Sequence, residues 1–390
     1  MNFDELIDRR GTHSAKWDNL QQYYDLSPDD GLAMWVADMD FRPPAAVQRR
    51  LEEVMAGGIY GYFGNPSPYI DAICWWMQNR HGWSVDPAAI FTTHGLVNGT
   101  GMCVDAYTAP GDGIVMFTPI YHAFFRVIEA AGRRVVECPM ALNDGRYTLD
   151  FDAYDAMMDG SEKMIVFCSP HNPGGRVWTQ AELTRLADFA RRHDLLIVSD
   201  EIHHDLVFPD QKHIPLAVAA PEIADRLIMM SATTKTFNMA GCHTGNVIIP
   251  DAELRKPFAA RMAALGISPN SFGLHMVEAA YSEDGAQWVD ALMAYLDGNR
   301  RILDEGLNAI PGLKSMPLEG TYLAWVDFSG TGMSPEEVKS RILKDARIAV
   351  NYGQTFGKGG EGFQRFNFAT PRARIEQAVE RMQKAFGDLQ

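Results

Sequence analysis

Lys235 follows a short apolar run and lies among small, hydroxyl and apolar residues, in the segment Ser231-Ala-Thr-Thr-Lys235-Thr-Phe-Asn-Met-Ala-Gly241. Burial disfavours the charged form of an amine, so these surroundings suit a lysine that must be neutral to attack an aldehyde. A lysine at a turn after a strand is more often simply solvated, and this segment alone does not decide between the two interpretations. Lys235 is therefore a candidate nucleophile whose partners must come from elsewhere in the chain.

The segment Val198-Ser-Asp200-Glu-Ile-His203 ends another predicted strand. Open α/β sheets bind ligands at the carboxyl ends of their strands, where a carboxylate can pair with a protonated pyridine nitrogen and keep that ring an electron sink. Asp200 also fits an ordinary helix N-cap. His203 can face the same ligand, whereas His204 should point elsewhere. A metal site from His203, His204 and Asp205 is disfavoured because adjacent residues do not share a face, and no metal is predicted.

Two more segments follow predicted strands. Ser169-Pro-His-Asn172-Pro-Gly-Gly175 is a rigid turn whose Asn172 amide can donate to a ring oxygen or a carboxylate, although bare turns of this kind are common. His94-Gly95-Leu96-Val97-Asn98 begins a helix, so its backbone N–H groups and the helix dipole can bind a phosphate. Gly99-Thr-Gly101 is only a fragment of a dinucleotide fingerprint, and no dinucleotide cofactor is predicted.

Short β-branched runs alternate with helical stretches between residues 89 and 249. This alternation predicts an α/β fold with a largely parallel sheet covered on both faces. Helices are predicted over Gly95–Tyr107 and, from a capping box at Thr179–Glu182, as far as Arg192. The predicted strands are Ala89–Thr92, Ile114–Thr118, Arg134–Cys138, Met164–Cys168, Leu195–Ser199, Leu227–Ser231 and Asn246–Ile249.

The pattern changes after about residue 285 and predicts a smaller α+β domain. Its predicted elements are a helix (Gln287–Ala309), a strand (Thr321–Phe328), a helix (Pro335–Asp345), a strand (Gln364–Ala369) and a closing helix begun by Thr370-Pro371. The chain is thus divided into residues 1–45, an irregular arm that packs on the small domain or a partner subunit; residues 46–285, a large α/β ligand-binding domain; and residues 286–390, the small C-terminal domain.

Composition excludes several classes of protein. The 390 residues are 46% hydrophobic and 22% charged, which is typical of globular chains. A formal net charge of −15 argues against nucleic acid or a membrane surface as a partner. The five cysteines are scattered and predict reduced thiols, and no apolar leader or membrane span is apparent, so a cytoplasmic location is expected.

Taken in order, the Asn-Pro-x-Gly, Asp-Glu-x-His and Thr-Lys-Thr-Phe segments resemble those of fold-type I pyridoxal-phosphate (PLP) enzymes, the class I/II aminotransferase superfamily. The segments Arg9-Arg-Gly-Thr-His-Ser-Ala-Lys-Trp-Asp18 and Met34-Trp-Val-Ala-Asp-Met-Asp-Phe41 resemble the MalY/PatB-type C–S lyases, a cystathionine β-lyase-like subgroup. The resemblance spans nearly the whole chain. It implies PLP as cofactor and an aspartate aminotransferase-like fold, with a mostly parallel seven-stranded sheet in the large domain.

The same resemblance implies a role for each motif residue. Lys235 would carry PLP as a Schiff base and, once substrate displaces it, would remove the α-proton. Asp200 would hold the pyridine nitrogen, and Asn172 would contact the ring hydroxyl oxygen and the substrate. Tyr121 would stack on the ring and take part in catalysis, and His203 occupies the position where many aminotransferases have a tyrosine.

Phosphate and substrate contacts are implied in the same way. The phosphate would lie against Gly95, Leu96, Val97 and the hydroxyl of either Thr234 or Ser231. Tyr62 would reach the phosphate from a partner subunit, which implies a homodimer with shared active sites. Arg365 would clamp the substrate α-carboxylate through a bidentate pair, unless it is only a surface arginine on an edge strand, and Ala37 would also contact the substrate.

Three positions depart from the expected pattern. Ordinary aminotransferases carry an arginine eight residues after the cofactor lysine, and here that position is His243. Less positive charge near the phosphate fits the lyase-like subgroup better than the transaminases. His122 and Asn98 are unusual for the subgroup and leave the pocket for the substrate side chain undetermined.

The expected activity is β-elimination from L-cystathionine or a related L-cysteine S-conjugate, which yields a thiol, pyruvate and ammonia. Two alternatives stay open. One is an aminotransferase acting on an L-amino acid, which shares every cofactor contact. The other is a PLP-binding regulatory protein that keeps the catalytic residues only to bind the cofactor.

Overall fold

A seven-stranded sheet lies at the centre of the structure, a computed structural model that describes residues 1–389. The strands, numbered in chain order, are β1 (Leu32–Ala33), β2 (Ile90–Thr93), β3 (Gly113–Thr118), β4 (Arg134–Pro139), β5 (Ala141–Asn143), β6 (Arg146–Thr148), β7 (Glu162–Cys168), β8 (Leu196–Asp200), β9 (Leu227–Ser231), β10 (Gly245–Ile248), β11 (Lys314–Ser315), β12 (Leu323–Asp327), β13 (Ile348–Ala349), β14 (Asn351–Tyr352) and β15 (Phe363–Asn367). The central sheet has the order β2-β10-β9-β8-β7-β3-β4, and β10 runs antiparallel to the other six strands. The predicted mostly parallel seven-stranded sheet is confirmed.

Helices cover the sheet and connect its strands. They are α1 (Ala15–Asp18), α2 (Leu20–Tyr24), α3 (Ala45–Gly57), α4 (Ser67–His81), α5 (Leu96–Tyr107), α6 (Ala123–Ala130), α7 (Phe151–Asp155), α8 (Gln180–Arg192), α9 (Leu216–Ala219), α10 (Thr233–Thr236), α11 (Ala252–Leu265), α12 (Ser271–Ala280), α13 (Glu283–Asn308), α14 (Pro335–Ser340) and α15 (Arg372–Ala385). Across residues 1–389, none of them combines the length and apolar character that crossing a bilayer requires.

The middle of the sheet is buried on both faces, which explains its nearly continuous apolar runs. Almost every residue of β3, β7, β8 and β9 is buried, with Val, Ile and Met predominating. Neighbouring parallel strands end at the same edge of a sheet, so the segments that follow β7, β8 and β9 meet there. These segments carry Asn172, Asp200 and Lys235.

A second, four-stranded antiparallel sheet has the order β11-β12-β15-β14. Arg365 lies in β15, an inner strand, opposite Trp325 of β12 and Asn351 of β14. The alternative of an edge-strand surface arginine is therefore wrong for Arg365. The division at residues 45 and 285 stays a prediction.

The N-terminal segment is more regular than expected, because it contains α1, α2 and β1. Strand β1 pairs in parallel with β13. The buried carboxylate of Asp40 accepts hydrogen bonds from Lys16 Nζ at 3.0 Å, Trp17 Nε1 at 2.9 Å and Arg9 at 2.9 Å. Although burial raises the pKa of Asp40, the neighbouring cations hold it well below its usual range. This charge cluster fixes the backbone just after Ala37.

Glu319 joins the loop before β12 to the turn after β7, and we call this contact the Glu319 junction. Its carboxylate accepts from Arg176 Nε at 3.0 Å and from the Val177 backbone N–H at 2.7 Å. The carbonyl oxygen of Gly175 accepts the backbone N–H groups of Glu319 and Gly320 at 2.9 and 3.0 Å. A β-carbon at Gly175 would overlap the Leu318 side chain, which explains the glycine there.

Candidate active site

Lys235 lies at the floor of a cleft at the carboxyl ends of β7, β8 and β9, on the four-residue helix α10. Its Nζ donates to the carbonyl oxygen of Ala37 at 2.6 Å. Burial, followed by the charge of Arg365, lowers the pKa of Lys235 to about 8, although the Asp38 and Asp200 carboxylates act in the opposite direction. An appreciable fraction of the amine is therefore neutral near physiological pH and can attack a carbonyl carbon.

Most of the predicted site residues line this one cleft. They are Ala37, Gly95, Leu96, Val97, Tyr121, Asn172, Asp200, His203, Thr234 and Lys235. His243, at the position of the expected arginine, lines it as well. Four other lining residues were not among the predicted site residues, namely His94, Cys168, Ile202 and Ala240.

Asp200 is the last residue of β8 and is buried. Burial raises its pKa to about 6, against an ordinary value of 3.8, while a hydrogen bond from the Ile202 backbone N–H at 3.0 Å acts in the opposite direction. A buried carboxylate with this pKa is stabilised in its charged form by a cationic partner. A protonated ring nitrogen is a partner of that kind.

His203 lies in the turn after Asp200 and is buried. Burial and the nearby Lys235 charge hold the pKa of its imidazole well below the ordinary range, so the ring is neutral. Its Nδ1 has no hydrogen-bond partner within residues 1–389. Because buried polar atoms are usually paired, this atom indicates a polar group supplied by a ligand.

Arg365 approaches the cleft from the second sheet and is 2% exposed. Its guanidinium donates to the side-chain oxygens of Asn172 at 2.9 Å and Asn351 at 2.6 Å, and to the Trp35 carbonyl at 3.1 Å. These partners are neutral, and the buried Nε has no partner within residues 1–389. Burial lowers the pKa of Arg365 to about 10. A buried cation with an unpaired N–H group is suited to an anionic ligand such as a carboxylate.

Asn172 links this arginine to the cleft. Its side-chain oxygen accepts from Arg365, so its amide N–H group remains for a ring oxygen. Tyr121 lies on the same cleft, and burial raises the pKa of its phenol, which keeps it protonated. Tyr322 was not among the residues predicted from the sequence. Its hydroxyl donates at 2.9 Å to the Ala37 carbonyl, which also accepts a hydrogen bond from Lys235.

One end of the cleft is formed by the N-terminus of α5. Gly95 precedes the helix with φ +91°, and no side chain caps the first turn. The uncapped backbone N–H groups, the Thr234 hydroxyl and the imidazoles of His94 and His243 can surround an anion. Ser231 does not belong here.

Two predicted site residues, Ser231 and Tyr62, lie outside the cleft, and the structure also places Asn98 and His122, whose roles the sequence leaves open. Ser231 lines a separate small internal cavity instead of the cleft, because it is still within strand β9 and points into the core. Tyr62 is fully exposed at the surface, outside the cleft of its own chain. Asn98 accepts a hydrogen bond from the His94 backbone N–H at 3.2 Å and does not line the cleft. His122 packs edge-on against Phe356, with ring centroids 5.6 Å apart.

A separate buried cluster lies behind α10. His81, His204 and Asp205 bring potential ligand atoms within 4.8 Å of one another. The sequence disfavours a metal site from His203, His204 and Asp205, and the structure places His203 on the cleft and His81 beside Asp205.

Comparisons with known proteins agree with the fold. Cystathionine beta-lyase PatB of Bacillus subtilis (strain 168) is 38% identical to this chain over 388 residues, which cover 99% of this chain and 100% of that protein. Cystalysin from Treponema denticola, whose crystal structure contains a pyridoxal 5'-phosphate cofactor, has a TM-score of 0.95 and 35% identity, covering 100% of this chain and 99% of that one.

A PLP-bound C-S lyase from Staphylococcus hominis, complexed with the inhibitor L-cycloserine, has a TM-score of 0.91 and 32% identity and covers 99% of this chain and 98% of that one. The family model for class I and II aminotransferases matches residues 36–382. The resemblance seen in the sequence motifs is thereby confirmed. On the similarity of nearly its whole length, in sequence and in fold, the chain belongs to the class I and II aminotransferase family.

Proposed function

We propose that this protein is a PLP-dependent carbon–sulfur β-lyase that cleaves L-cystathionine or related L-cysteine S-conjugates. The observation that carries the proposal is a cleft lysine with a lowered pKa near a buried arginine, which contacts the cleft through Asn172 and whose hydrogen-bond partners are all neutral. The first group suits covalent capture of an aldehyde, and the second suits an α-carboxylate. The similarity to PatB over the whole chain supports the same activity.

The residues of the cleft fit PLP. Lys235 can hold its aldehyde carbon covalently, and the buried Asp200 can pair with its ring nitrogen. The unpaired Nδ1 of His203 and the amide of Asn172 are available for polar groups of the ring. The uncapped first turn of α5 can accept the phosphate.

The bound cofactor supplies an electron-withdrawing ring that makes the substrate α-proton acidic. Arg365 binds the substrate carboxylate and thereby orients Cα toward Lys235. The neutral amine of Lys235 accepts the α-proton, and general base help of this kind accelerates a reaction by roughly 10²- to 10⁴-fold. Asp200 stays ionised against the ring nitrogen. In the overall reaction, the cysteine conjugate and one water give the thiol, pyruvate and ammonium as the Cβ–S bond breaks.

The active unit is proposed to be a homodimer with shared sites. Tyr62 is fully exposed and stands beside an exposed apolar patch formed by Met55, Ile59 and Tyr60, which are 62%, 88% and 60% exposed. An apolar patch of this kind is typical of a subunit interface. A cytoplasmic location also stays a prediction, supported by five cysteines that form no disulfide within residues 1–389.

Pyruvate release without a keto-acid acceptor tests the activity. Purified holoenzyme incubated with L-cystathionine is expected to form pyruvate over many turnovers. An aminotransferase would instead convert at most one cystathionine per site to its keto acid without an acceptor, and would leave the carbon–sulfur bond intact. The variant Lys235→Ala is expected to lose both turnover and the visible absorbance of the lysine-bound cofactor, and retention of both would remove Lys235 from the mechanism.

A further inference from the structure

The cluster behind α10 is centred on the carboxylate of Asp205, whose side chain is 0% exposed. Oδ1 accepts from Trp76 Nε1 at 3.0 Å and from His81 Nε2 at 2.9 Å. Oδ2 accepts from the Thr236 hydroxyl at 2.9 Å and lies 2.9 Å from His204 Nε2. We call these five residues the Asp205 cluster. None of them lines the cleft.

The contact with Thr236 reaches the reactive lysine. Thr236 follows Lys235 in α10, which has only four residues and no side-chain N-cap. So short a helix has little stability of its own. The hydrogen bond from the Thr236 hydroxyl therefore holds the backbone that carries Lys235 in place, and Asp205 is the acceptor of that bond.

Asp205 also belongs to the chain segment that carries Asp200 and His203. It closes the turn that begins after Asp200 and contains His203, in which the backbone N–H of Leu206 donates to the His203 carbonyl at 2.9 Å. One carboxylate thus connects the segment that carries Asp200 and His203 to the segment that carries Lys235. The relative position of these two segments determines where the lysine amine lies against the bound ring.

We propose that Asp205 is a positioning residue, which holds Lys235 at a defined position relative to Asp200 and His203. The proposal rests on the proposed function, because it assigns Asp205 to the placement of the base in that reaction. Asp205 acts through Thr236 and through its own turn, without touching the cofactor or the substrate.

The charge of Asp205 strengthens these contacts. Although burial raises its pKa, the imidazoles of His204 and His81 hold the pKa well below the usual range, so the carboxylate is ionised. Hydrogen bonds to an ionised acceptor are roughly twice as strong as neutral ones. The same three side chains could instead ligate a metal, but the hydrogen bonds from Trp76 and Thr236 already occupy lone pairs on both carboxylate oxygens.

Three variants of the holoenzyme test the proposal. Asp205→Asn keeps the shape of the side chain and removes its charge. Thr236→Val removes only the hydroxyl, and Thr236→Ser restores it. Misplacement of a catalytic group by about 1 Å can cost 10²-fold in rate, so we expect kcat to fall by about 10- to 100-fold in Asp205→Asn and Thr236→Val, with a much smaller change in KM. Thr236→Ser is expected to recover most of the lost kcat.

A change in the visible circular dichroism of the lysine-bound cofactor is expected in the first two variants and supports the proposal even if wild-type protein releases no pyruvate. Trp76→Phe is the matched control: it removes one donor to Asp205, keeps the Thr236 contact, and should lower the melting temperature while keeping most of kcat. If Asp205→Asn and Thr236→Val also lower only the melting temperature, the cluster is structural and the proposal fails. One equivalent of zinc in the purified protein would likewise overturn it.

Discussion

Lys235 can react with an aldehyde only in its neutral form, and its lowered pKa of about 8 sets the pH at which that form predominates. We expect the rate at which cofactor-free protein recaptures PLP to rise with pH and to level off above about pH 8. Below that pH the neutral fraction, and with it the rate, should fall roughly tenfold per pH unit. Stopped-flow absorbance after mixing with PLP measures this rate.

The sign of this prediction follows from burial, which disfavours the ammonium form. A solvated lysine, with an ordinary pKa of 10.5, would give a rate that still rises beyond pH 10. That profile would contradict the assignment. Lys235→Ala is the control for absorbance changes that come from PLP bound without a covalent bond.

The variant Arg365→Lys tests the proposed contact between Arg365 and the substrate carboxylate. Lysine at this position keeps the charge but loses the planar fork that contacts Asn172 and Asn351. Hydrogen bonds to charged groups contribute about 1.5 to 3 kcal/mol, so Arg365→Lys should raise KM for the cysteine conjugate by about 10- to 100-fold. Arg300→Lys, on the helix α13, is the matched control, and an unchanged KM in Arg365→Lys would exclude the proposed carboxylate contact.

The sequence identified the residues of the cleft that belong to strand ends, because the carboxyl ends of parallel strands meet at one edge. It could not distinguish Thr234 from Ser231, since both hydroxyls lie near the lysine and only the exact end of β9 decides which one faces the cleft. Tyr322 and Cys168 carried no separate local signal. Their place depends on packing between segments far apart in the chain.

At the scale of the element, the N-terminus of α8 has a complete capping box. The Thr179 hydroxyl accepts the Glu182 backbone N–H, and the Glu182 carboxylate accepts the Thr179 backbone N–H. Thr179→Ala should destabilise the protein by about 1 kcal/mol, as N-cap losses usually do. Denaturant unfolding of the holoenzyme measures this, with Thr184→Ala, an exposed position inside the same helix, as the control that should change little. Equal stabilities for the two variants would contradict the prediction.

Most elements of the central sheet were predicted within about two residues, because their apolar runs are short and bounded by turn residues. The sequence pattern predicts that α13 starts at Gln287, yet the helix begins at Glu283, where the Ser282 side chain caps the Gly285 backbone N–H. The predicted helix over Pro335–Asp345 is α14 followed by a π-helical turn. The pairing of β1 with β13 was not predictable, since two-residue strands more than 300 positions apart leave no local pattern.

At the scale of the whole molecule, the proposed dimer predicts complementation between two inactive variants. The Lys235→Ala subunit lacks the base but can supply Tyr62 to the site of the other subunit. The Tyr62→Ala subunit keeps the base but supplies no tyrosine to the other site. A mixed dimer would contain one complete site. Mixing the two proteins under conditions of subunit exchange should therefore restore roughly a quarter of wild-type activity in a closed two-fold dimer.

The exposed patch around Ile59 gives the control for this experiment. Ile59→Asp places a charge where the side chain is 88% exposed, and should yield monomers by analytical ultracentrifugation and prevent complementation. Leu142→Asp, at a position that is 44% exposed on β5, should remain dimeric. Full activity in the monomeric variant would refute the shared site.

The Glu319 junction has a consequence for the range of substrates. It fastens the sheet that carries Arg365 to the turn that carries Asn172, through a buried ion pair and two backbone hydrogen bonds to Gly175. The separation between Arg365, the proposed carboxylate anchor, and the amine of Lys235 is therefore a fixed length, set by the polypeptide before any molecule arrives. Accepted compounds must all match that length at their amino-acid end, and their diversity is confined to the atoms beyond sulfur.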